Sequence, residues 1–377
     1  MHDNRSSTPL SRENSGNRLK RFMLVFLPAI LLLASLSVVF YRQESTAREQ
    51  LLRENEMLLL ESQLESLQGP LKAVVGDLKV LAGQQTLQAF LDLGTADSLA
   101  VLAADLLAFS THRRIYDRIR FIDRQGMEII RINYNAGVPG RVPQDELQYA
   151  GNRDYFVNSA RLKAGDFSMS PLTLSNEQGR ITQPPTPVMT CGIAVFDRAG
   201  QQRGVIILTC LADRLLQPLK KLSLENRRTI YLVNRQGYFL LGPTPQAEWG
   251  FLYPDRKNQT FQARFPTAWE SIAAAGKGHI SGEAGLFTYL TFYPQLCVLE
   301  PARAFLNADG PCGCYTGQKE EYYWKFVSLV PAASLHDSSA FPLARNLLYL
   351  NTLFVVLLAV AAWLPAGTAA RGNTDKT

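Results

Sequence analysis

Two arginines and an asparagine have the residue types and spacing of a site for a small anion. In the stretch EIIRINY the residues alternate as they would along a β-strand, so successive side chains point to opposite faces. The two predicted faces are Ile130, Ile132 and Tyr134 on one side, and Ile129, Arg131 and Asn133 on the other. A guanidinium group can bind a carboxylate or phosphate through two parallel hydrogen bonds, and Arg153 would add a second positive charge.

The same arginines have a structural interpretation, which stays open at this point. Arg131 and Arg153 could form ion pairs with Asp154, Asp166 or Glu128 and hold loops in place. The stretch FSMSPLTL follows, and its Ser168 and Ser170 would lie on one face of an extended segment and offer hydroxyl groups. A plain strand is the alternative for that segment.

Two hairpins with the same turn chemistry would position these residues. YDRIRFIDRQGMEIIRINYN reads as strand, turn and strand, with Asp123 opening the turn and Gly126 closing it. TIYLVNRQGYFLLG repeats the pattern more than one hundred residues later, with Asn234 and Gly237 in the same roles. An Asp or Asn starts such a turn, and glycine supplies the positive φ. The repetition indicates two related modules.

The remaining patterns complete each module as one antiparallel sheet with helices on its faces, an α+β, PAS-like arrangement. Predicted helices cover 95–111, 154–162, 211–222 and 266–275. Predicted extended segments cover 167–174, a long hairpin turning near 197–203, then 278–282, 286–293 and the stretch EYYWKFVSLVP, with a loop over 294–319.

A long helical stalk precedes the first module. Its apolar residues recur every three or four positions, and they are Met57, Leu60, Leu64, Leu67, Leu71, Val74, Leu78 and Leu81. This stripe could pair with a second copy of the chain or lie along the chain's own sheets, and both remain open. Gly69 and Pro70 are expected to kink or break the helix.

Two apolar runs predict a protein that crosses the membrane twice. The run 22–41 carries no charge and is long enough for the hydrocarbon core, and basic residues precede it, which places the N-terminus in the cytoplasm. A cleaved leader is less favoured, because the run is too long for one and the small residues lie too far from it. A second run, 347–364, contains Asn351 as its strongly polar residue.

Composition and motifs limit the classes of function that the sequence allows. The chain has 377 residues and a net charge of +6, but the basic residues cluster before the first apolar run rather than among aromatic residues, so a nucleic-acid partner is not expected. No nucleotide-binding, hydrolase or metalloprotease motif is present, and we predict neither enzymatic activity nor a cofactor. The cysteines favour two buried thiols and a loop disulfide over a metal centre, and they are Cys191, Cys210, Cys297, Cys312 and Cys314.

Taken in order, these stretches resemble the double Cache sensor domains of bacterial membrane receptors, most of all those attached to diguanylate cyclases and histidine kinases. The stretches that carry the resemblance are YDRIRFIDRQGMEIIRINYN, NRDYFVNSARLKAGDFSMSPLTL, PVMTCGIAVFDRAGQQRGVIIL, NRQGYFLLGPTPQAEWGFLYPD, GLFTYLTFYP and YYWKFVSLVP. The resemblance implies a long N-terminal helix, a membrane-distal and a membrane-proximal module, and a ligand pocket in the distal one.

The resemblance also implies site residues. In amino-acid-binding relatives an Arg-x-Trp-Tyr motif holds the ligand carboxylate, and Arg153 and Tyr155 stand where its first and third residues would be. Thr209 occupies the position of the aspartate that holds the amine, and a later tyrosine has no counterpart near Ser170. The expected ligand is therefore small and polar or anionic rather than a standard α-amino acid. The predicted ligand-binding residues are Arg131, Asn133, Arg153, Tyr155, Ser170 and Thr209.

The predicted protein is a homodimeric, two-pass sensor of the bacterial inner membrane with its sensor segment outside the cytoplasm. Neither terminus resembles a cyclase or kinase, so we expect the output either in a separate protein or in a continuation of the chain, and both remain open. The alternative function is a non-catalytic scaffold that associates with another receptor through the stalk. The expected segments are 1–21 as cytoplasmic tail, 22–41 and 341–365 as membrane helices, 42–112 as stalk, 113–222 and 223–340 as modules, and 366–377 as a second tail.

Overall fold

The computed structural model describes residues 13–177, 179–225, 228–295, 322–335 and 342–363. Within these residues the chain divides into two compact units. One unit holds the residues up to Glu54 together with those from His336 onward, and the other is Asn55–Leu335. The predicted loop at 294–319 lies outside the described residues except for positions 294 and 295. The residues Cys297, Cys312 and Cys314 lie wholly outside them.

A single long helix begins the described chain. Helix α1 spans Glu13–Ala82 and contains the first apolar run. By length and composition it is the one helix among the described residues that could cross a membrane, and its most apolar part is exposed. The second predicted crossing falls within another helix, Pro342–Trp363, in which Asn351 donates a hydrogen bond to the hydroxyl of Ser37. A two-pass arrangement therefore stays a prediction.

The apolar stripe of α1 packs on the chain's own sheets. Leu64, Leu71 and Leu78 are fully buried in one cluster with Ile132 of the first hairpin and Phe326 of the last strand. Of the two partners left open by the sequence, the chain itself takes this face, because the strands present complementary apolar residues to it. Met57 is partly buried at the edge of the same cluster.

Of the kink or break expected at Gly69 and Pro70, the break does not occur, since α1 continues to Ala82, and the kink stays a prediction. A proline inside a helix removes one backbone hydrogen bond and crowds the preceding turn. Leu67 and Leu71 flank the pair and are both buried in the core, so packing on either side holds the helix together.

The other helices lie between and after the strands. They are α2 Gln85–Leu93, α3 Ala96–Arg113, α4 Asp154–Ala160, α5 Asp213–Glu225, α6 Phe261–Arg264, α7 Pro266–Ala274, α8 Ala332–Leu335 and α9 Pro342–Trp363. The predicted helix over 95–111 is confirmed as α3, and the hydroxyl of Thr95 caps it by accepting from the N–H of Ser98 at 3.2 Å.

Two antiparallel sheets form the body of the Asn55–Leu335 unit. The first contains β1 Tyr116–Asp123, β2 Glu128–Asn133, β3 Gly140–Arg141, β4 Phe167–Met169, β5 Thr173–Leu174, β8 Pro187–Phe196 and β9 Gln202–Leu211, while β6 Asn176–Glu177 and β7 Arg180–Ile181 pair separately. The second contains β10 Thr229–Asn234, β11 Phe239–Leu241, β12 Lys277–Gly282, β13 Gly285–Phe292 and β14 Trp324–Pro331. The α+β class is confirmed.

Both sheets have the same strand order. The first runs β2-β1-β9-β8-β4, with β3 added beyond β2, and the second runs β11-β10-β14-β13-β12. In each, the first strand of the module lies beside its last strand. This shared order agrees with the repeat expected from the two hairpins.

The two hairpin turns are built by the same hydrogen bonds. Gly126 adopts φ +89° and donates its N–H to the carbonyl of Asp123, whose side chain accepts from Met127 at 2.8 Å. Gly237 adopts φ +86° and donates to the carbonyl of Asn234 in the second turn. The predicted roles of the Asx residue and the glycine are confirmed.

Candidate functional site

The polar face of the first sheet carries two rows of side chains across neighbouring strands. Residues directly opposite one another in an antiparallel pair share a face, as do residues two apart along a strand. The register places Asn133, Arg118, Thr209 and Thr190 in one row and Arg131, Arg120, Ile207, Gly192 and Ser168 in the next. The register confirms that Arg131 and Asn133 face away from the long helix, because Ile130 and Ile132, on the other face of the strand, pack in the helix-side core.

A β-bulge turns Glu128 toward the arginines. Phe121 pairs with Ile130, whereas the next residue, Ile122, pairs with Glu128, so Ile129 is the extra residue. Without the bulge, Glu128 would share the face of Ile130. The prediction for Ile129 was wrong, because the bulge releases it from alternation and it packs against the helix-side core instead.

A cavity of about 1060 Å³ lies over these two rows. Its walls are the sheet face, α4, the segment from β4 to β5 and the loop 145–150, and residues of the second sheet's module close one side. All of the sequence-predicted site residues line it, and they are Arg131, Asn133, Arg153, Tyr155, Ser170 and Thr209. The fold thus brings together residues that are up to 78 positions apart in the sequence, the separation of Arg131 and Thr209.

One buried and one largely buried guanidinium group share a buried carboxylate inside the cavity. Arg131 donates from Nη1 to Oε2 of Glu128 at 2.9 Å, and Nε of Arg120 lies 3.0 Å from Oε1 of the same group. The N–H of Gln148 also donates to Glu128 Oε2 at 3.0 Å, and Arg131 Nη2 donates to the carbonyl of Glu146. The ion-pair interpretation of Arg131 is therefore correct for its Nη1.

This cluster retains unused hydrogen-bonding capacity and excess positive charge. Among buried side-chain atoms of the described residues, Arg120 Nε, Arg131 Nε and Asn133 Oδ1 have no hydrogen-bond partner, since the Arg120 N–H is not aligned with the nearby carboxylate oxygen. Burial lowers the pKa of Arg120 from its ordinary value, the direction expected when a cation loses water. Exposed acidic residues stand at the rim, namely Asp145, Glu146 and Asp154.

Helix α4 covers one end of the sheet face because Gly192 leaves room for it. A Cβ at Gly192 would overlap the hydroxyl of Ser159 and lie 2.7 Å from Cδ1 of Ile207. Ser159 uses that space to approach the hydroxyl of Ser168 at 2.7 Å. The close packing holds Tyr155 with its ring 5.4 Å from the guanidinium carbon of Arg120, within cation–π distance.

Arg153 stands just before α4 and is exposed at the cavity rim. Within the described residues its guanidinium forms no ion pair with Asp154, Asp166 or Glu128, so the structural interpretation offered by the sequence does not account for it. Its position leaves it available to an anion that enters the cavity.

Hydroxyl groups line the cavity beyond Arg118. Thr209 is buried, and its Oγ1 lies 3.5 Å from Oγ1 of Thr190 on the neighbouring strand. The hydroxyl of Ser170 accepts from the N–H of Thr190 at 2.9 Å and donates to the carbonyl of Pro171. Ser170 therefore fixes the segment after β4, and the threonine hydroxyls remain the polar groups facing the cavity.

Sequence reasoning missed Arg120, Thr190 and Tyr322. Alternation along YDRIRFID places Arg118 and Arg120 opposite Ile119 and Phe121, so a strict face assignment of this strand would have found Arg120. Tyr322 belongs to the second module, and no local pattern connects it to the cavity.

The donor set suits an organic or inorganic anion. The described residues contain no cluster of three or more His, Cys, Asp or Glu side chains that could hold a metal ion. Cys191 and Cys210 are free and buried on the opposite, helix-side face of the sheet.

Fold and cavity together define a Cache-like sensor domain. A domain of a sensory box/GGDEF family protein from Vibrio parahaemolyticus is similar in structure, with TM-score 0.58, 17% identity, and coverage of 75% of this chain and 98% of that one. The extracellular domain of a protein described as the histidine kinase vpHK1S-Z8 has TM-score 0.58, 16% identity and coverage of 76% and 95%. The sensory domain of chemoreceptor Tlp3 from Campylobacter jejuni has TM-score 0.51, 10% identity and coverage of 78% and 100%.

The chain belongs to the family of bacterial histidine kinase sensor domains, whose model matches residues 46–295. The resemblance noted from the sequence is confirmed. No curated protein matches the chain in sequence.

Proposed function

We propose that this sensor domain binds a small polar or anionic ligand in the cavity of its first module. The observation that carries the proposal is a pair of guanidinium groups, the buried Arg120 and the largely buried Arg131, which share the single carboxylate of Glu128. Unpaired donors that remain buried are costly unless a ligand or water satisfies them. A carboxylate or phosphate matches both their charge and their geometry.

The proposed contacts combine predicted and newly found residues. Arg120, Arg131 and Arg153 supply positive charge, and Asn133 supplies an acceptor for a ligand hydroxyl or amine. Thr209 donates or accepts through its hydroxyl. Tyr155 orients Arg120 through its ring, and Ser170 holds the wall.

A thermal-shift screen of the full-length chain against a metabolite library tests the proposal. We expect carboxylates or phosphates to raise the melting temperature of the wild-type protein. Arg131→Gln should reduce this shift, whereas Arg198→Gln, which removes an exposed arginine paired with Asp92, should leave it unchanged. If no compound shifts a well-folded wild-type protein, ligand sensing fails while the family assignment stands.

The membrane arrangement is part of the same proposal. The exposed apolar part of α1 supports one crossing. The charge-free run 347–364 of the sequence, most of which lies in α9, is the basis for proposing a second, with the modules outside the cytoplasm. Alkaline phosphatase fused after residue 54 should be active, and fused after residue 363 it should be inactive. Activity at both positions would exclude two crossings.

We further propose a homodimer that acts on a separate cyclase or kinase output protein. A Cβ on Gly69 or Gly76 of α1 would meet no atom within 4 Å, so this face of the helix leaves space for a second helix. Sedimentation of the full-length chain in detergent should show a dimer, weakened by Gly76→Leu and unchanged by Ala104→Leu at an exposed position of α3. A cross-linking pull-down would identify the output protein.

The scaffold alternative has less support than the sensor. It relied on the stripe of α1 to recruit another receptor, and Leu60, Leu64 and Leu71 of that stripe are fully buried against the chain's own sheets.

A further inference from the structure

The cavity wall between β4 and β5 is attached to the second module at two points. The backbone N–H of Leu172 donates to the hydroxyl of Tyr322 at 2.7 Å. The side-chain amide of Gln295 donates to the carbonyl of Met169 at 3.0 Å. Tyr322 and Phe251, both from the second module, line the cavity. The cavity is therefore completed by residues on the far side of the module boundary.

The hydroxyl of Tyr322 has its acceptor capacity filled. Besides the N–H of Leu172, its oxygen accepts the indole N–H of Trp324, the first residue of β14. A phenolic hydroxyl can also donate one proton. Within the part of the chain that the structure describes, no oxygen or nitrogen accepts the Tyr322 proton.

That proton remains on the oxygen at physiological pH. Burial raises the pKa of Tyr322 above its ordinary value, so the phenol stays neutral and keeps its donor. A donor that is held in place by two incoming N–H groups and borders a cavity is prepared for an oxygen acceptor on a bound molecule.

We propose that the hydroxyl of Tyr322 donates a hydrogen bond to a carboxylate or phosphate oxygen of the ligand, so that the binding site is built from both modules. The inference rests on the proposed function, because it uses the same cavity and the same ligand class. The two arginines of the first sheet supply charge, and Tyr322 supplies a neutral donor from the second module.

This arrangement connects occupancy of the cavity to β14. Tyr322 precedes Trp324 by two residues, and β14 leads directly to α8. A ligand that binds the Tyr322 hydroxyl favours the arrangement of β14 in which that contact is made, which is the condition for transmitting a binding event.

The test compares Tyr322→Phe with two control variants in the full-length chain. Tyr323→Phe removes the hydroxyl of the adjacent tyrosine, whose ring lies 5.7 Å from that of Tyr293 at a tilt and does not border the cavity. Gln295→Ala removes the other attachment of the wall and leaves the Tyr322 hydroxyl intact. Calorimetric titration uses acetate, succinate, citrate and inorganic phosphate as probes.

We expect Tyr322→Phe to weaken the best-bound probe about tenfold, the effect of losing one hydrogen bond to a charged group. Both controls should stay within about twofold of the wild type. Equal binding by Tyr322→Phe and the wild type would overturn the proposal. A loss in Gln295→Ala as large as that in Tyr322→Phe would also overturn it, because wall positioning would then explain both.

Hydrogen exchange without any probe separates the two proposals. In Tyr322→Phe the amide of Leu172 should exchange faster, while in Tyr323→Phe it should not, whether or not a probe binds. If the exchange result holds but no probe binds the wild type, the ligand class is wrong, and both proposals for the cavity fall while the attachment of the wall stands. If Leu172 exchange is unchanged in Tyr322→Phe, the attachment itself is absent and the bipartite site is wrong.

Discussion

The guanidinium Nε of Arg120 lies 3.0 Å from Oε1 of Glu128, and both side chains are buried beneath the cavity of the first sheet. Since Arg131 pairs with the other carboxylate oxygen, Glu128 is the group that keeps two cations stable in the same enclosed space. Its removal is thus a direct measure of how much the cluster depends on that carboxylate.

Glu128→Gln should lower the free energy of unfolding by about 3 kcal/mol, because it leaves the buried Arg120 and the largely buried Arg131 without a counter-charge. Urea denaturation followed by tryptophan fluorescence measures the change. As the matched control, Asp92→Asn removes an exposed partner of Arg198 and should cost less than about 1 kcal/mol. A loss below about 1 kcal/mol for Glu128→Gln would mean that water in the cavity already solvates the arginines.

Lys325 should make stability depend on pH on the alkaline side. Its Nζ donates to the carbonyl of Ala275 and to Thr291 Oγ1, each at 2.7 Å, and burial lowers its pKa from 10.5 to about 8. Between those values the unfolded chain binds more protons than the folded one, so the free energy of unfolding rises with pH. Below about 8 this contribution is constant and unfavourable to the folded state.

Lys325→Met should remove that rise. Thermal unfolding of the wild type and the variant between about pH 7.5 and 9.5 gives the comparison, and the free energy of unfolding of the wild type relative to the variant should rise by about 1–3 kcal/mol over the window. Parallel profiles would show that Lys325 stays protonated in the folded protein throughout.

Gly192→Ala should destabilise the protein by about 1–3 kcal/mol, the usual effect of overpacking a tight core contact. The added methyl would displace Ser159 and with it α4, which carries Tyr155 over the cavity. Thermal unfolding measures the loss. Combining the change with Ser159→Ala removes the clashing hydroxyl and should recover part of it, whereas an unchanged loss would place the strain elsewhere.

The thiol of Cys210 should be unreactive in the folded protein. A hydrogen bond with Cys191, together with burial, raises the pKa of the Cys210 thiol and disfavours the reactive thiolate. In a variant with serine at positions 297, 312 and 314, a chromogenic disulfide reagent should modify both thiols only after addition of urea. Rapid modification without urea would show that the helix-side core opens readily.

Local turn chemistry made much of the fold predictable. Asp123 and Gly126 set the first hairpin by themselves, and alternation then separated Ile130 and Ile132 from Arg131 and Asn133. These features depend on residues that are neighbours in the sequence, so the sequence displays them directly.

The rest depended on contacts that no local pattern contains. The bulge at Ile129, which turns Glu128 into the cavity, is a property of two paired strands rather than of one. The Tyr322 hydroxyl and the Leu172 amide are 150 positions apart. Likewise, α1 continues through Pro70 while packing on sheets whose strands lie much later in the sequence.

The shared strand order of the two sheets has a consequence for how such chains can grow. Because β1 lies beside β9 and β10 beside β14, each sheet receives and releases the chain at adjacent central strands. A second module can therefore follow the first along the chain without passing through the first sheet. The outer strands of each sheet can then differ in sequence without disturbing this connection. In this molecule the first sheet borders a basic cavity, and the second packs on an aromatic interior formed by residues such as Phe261, Phe265 and Trp269.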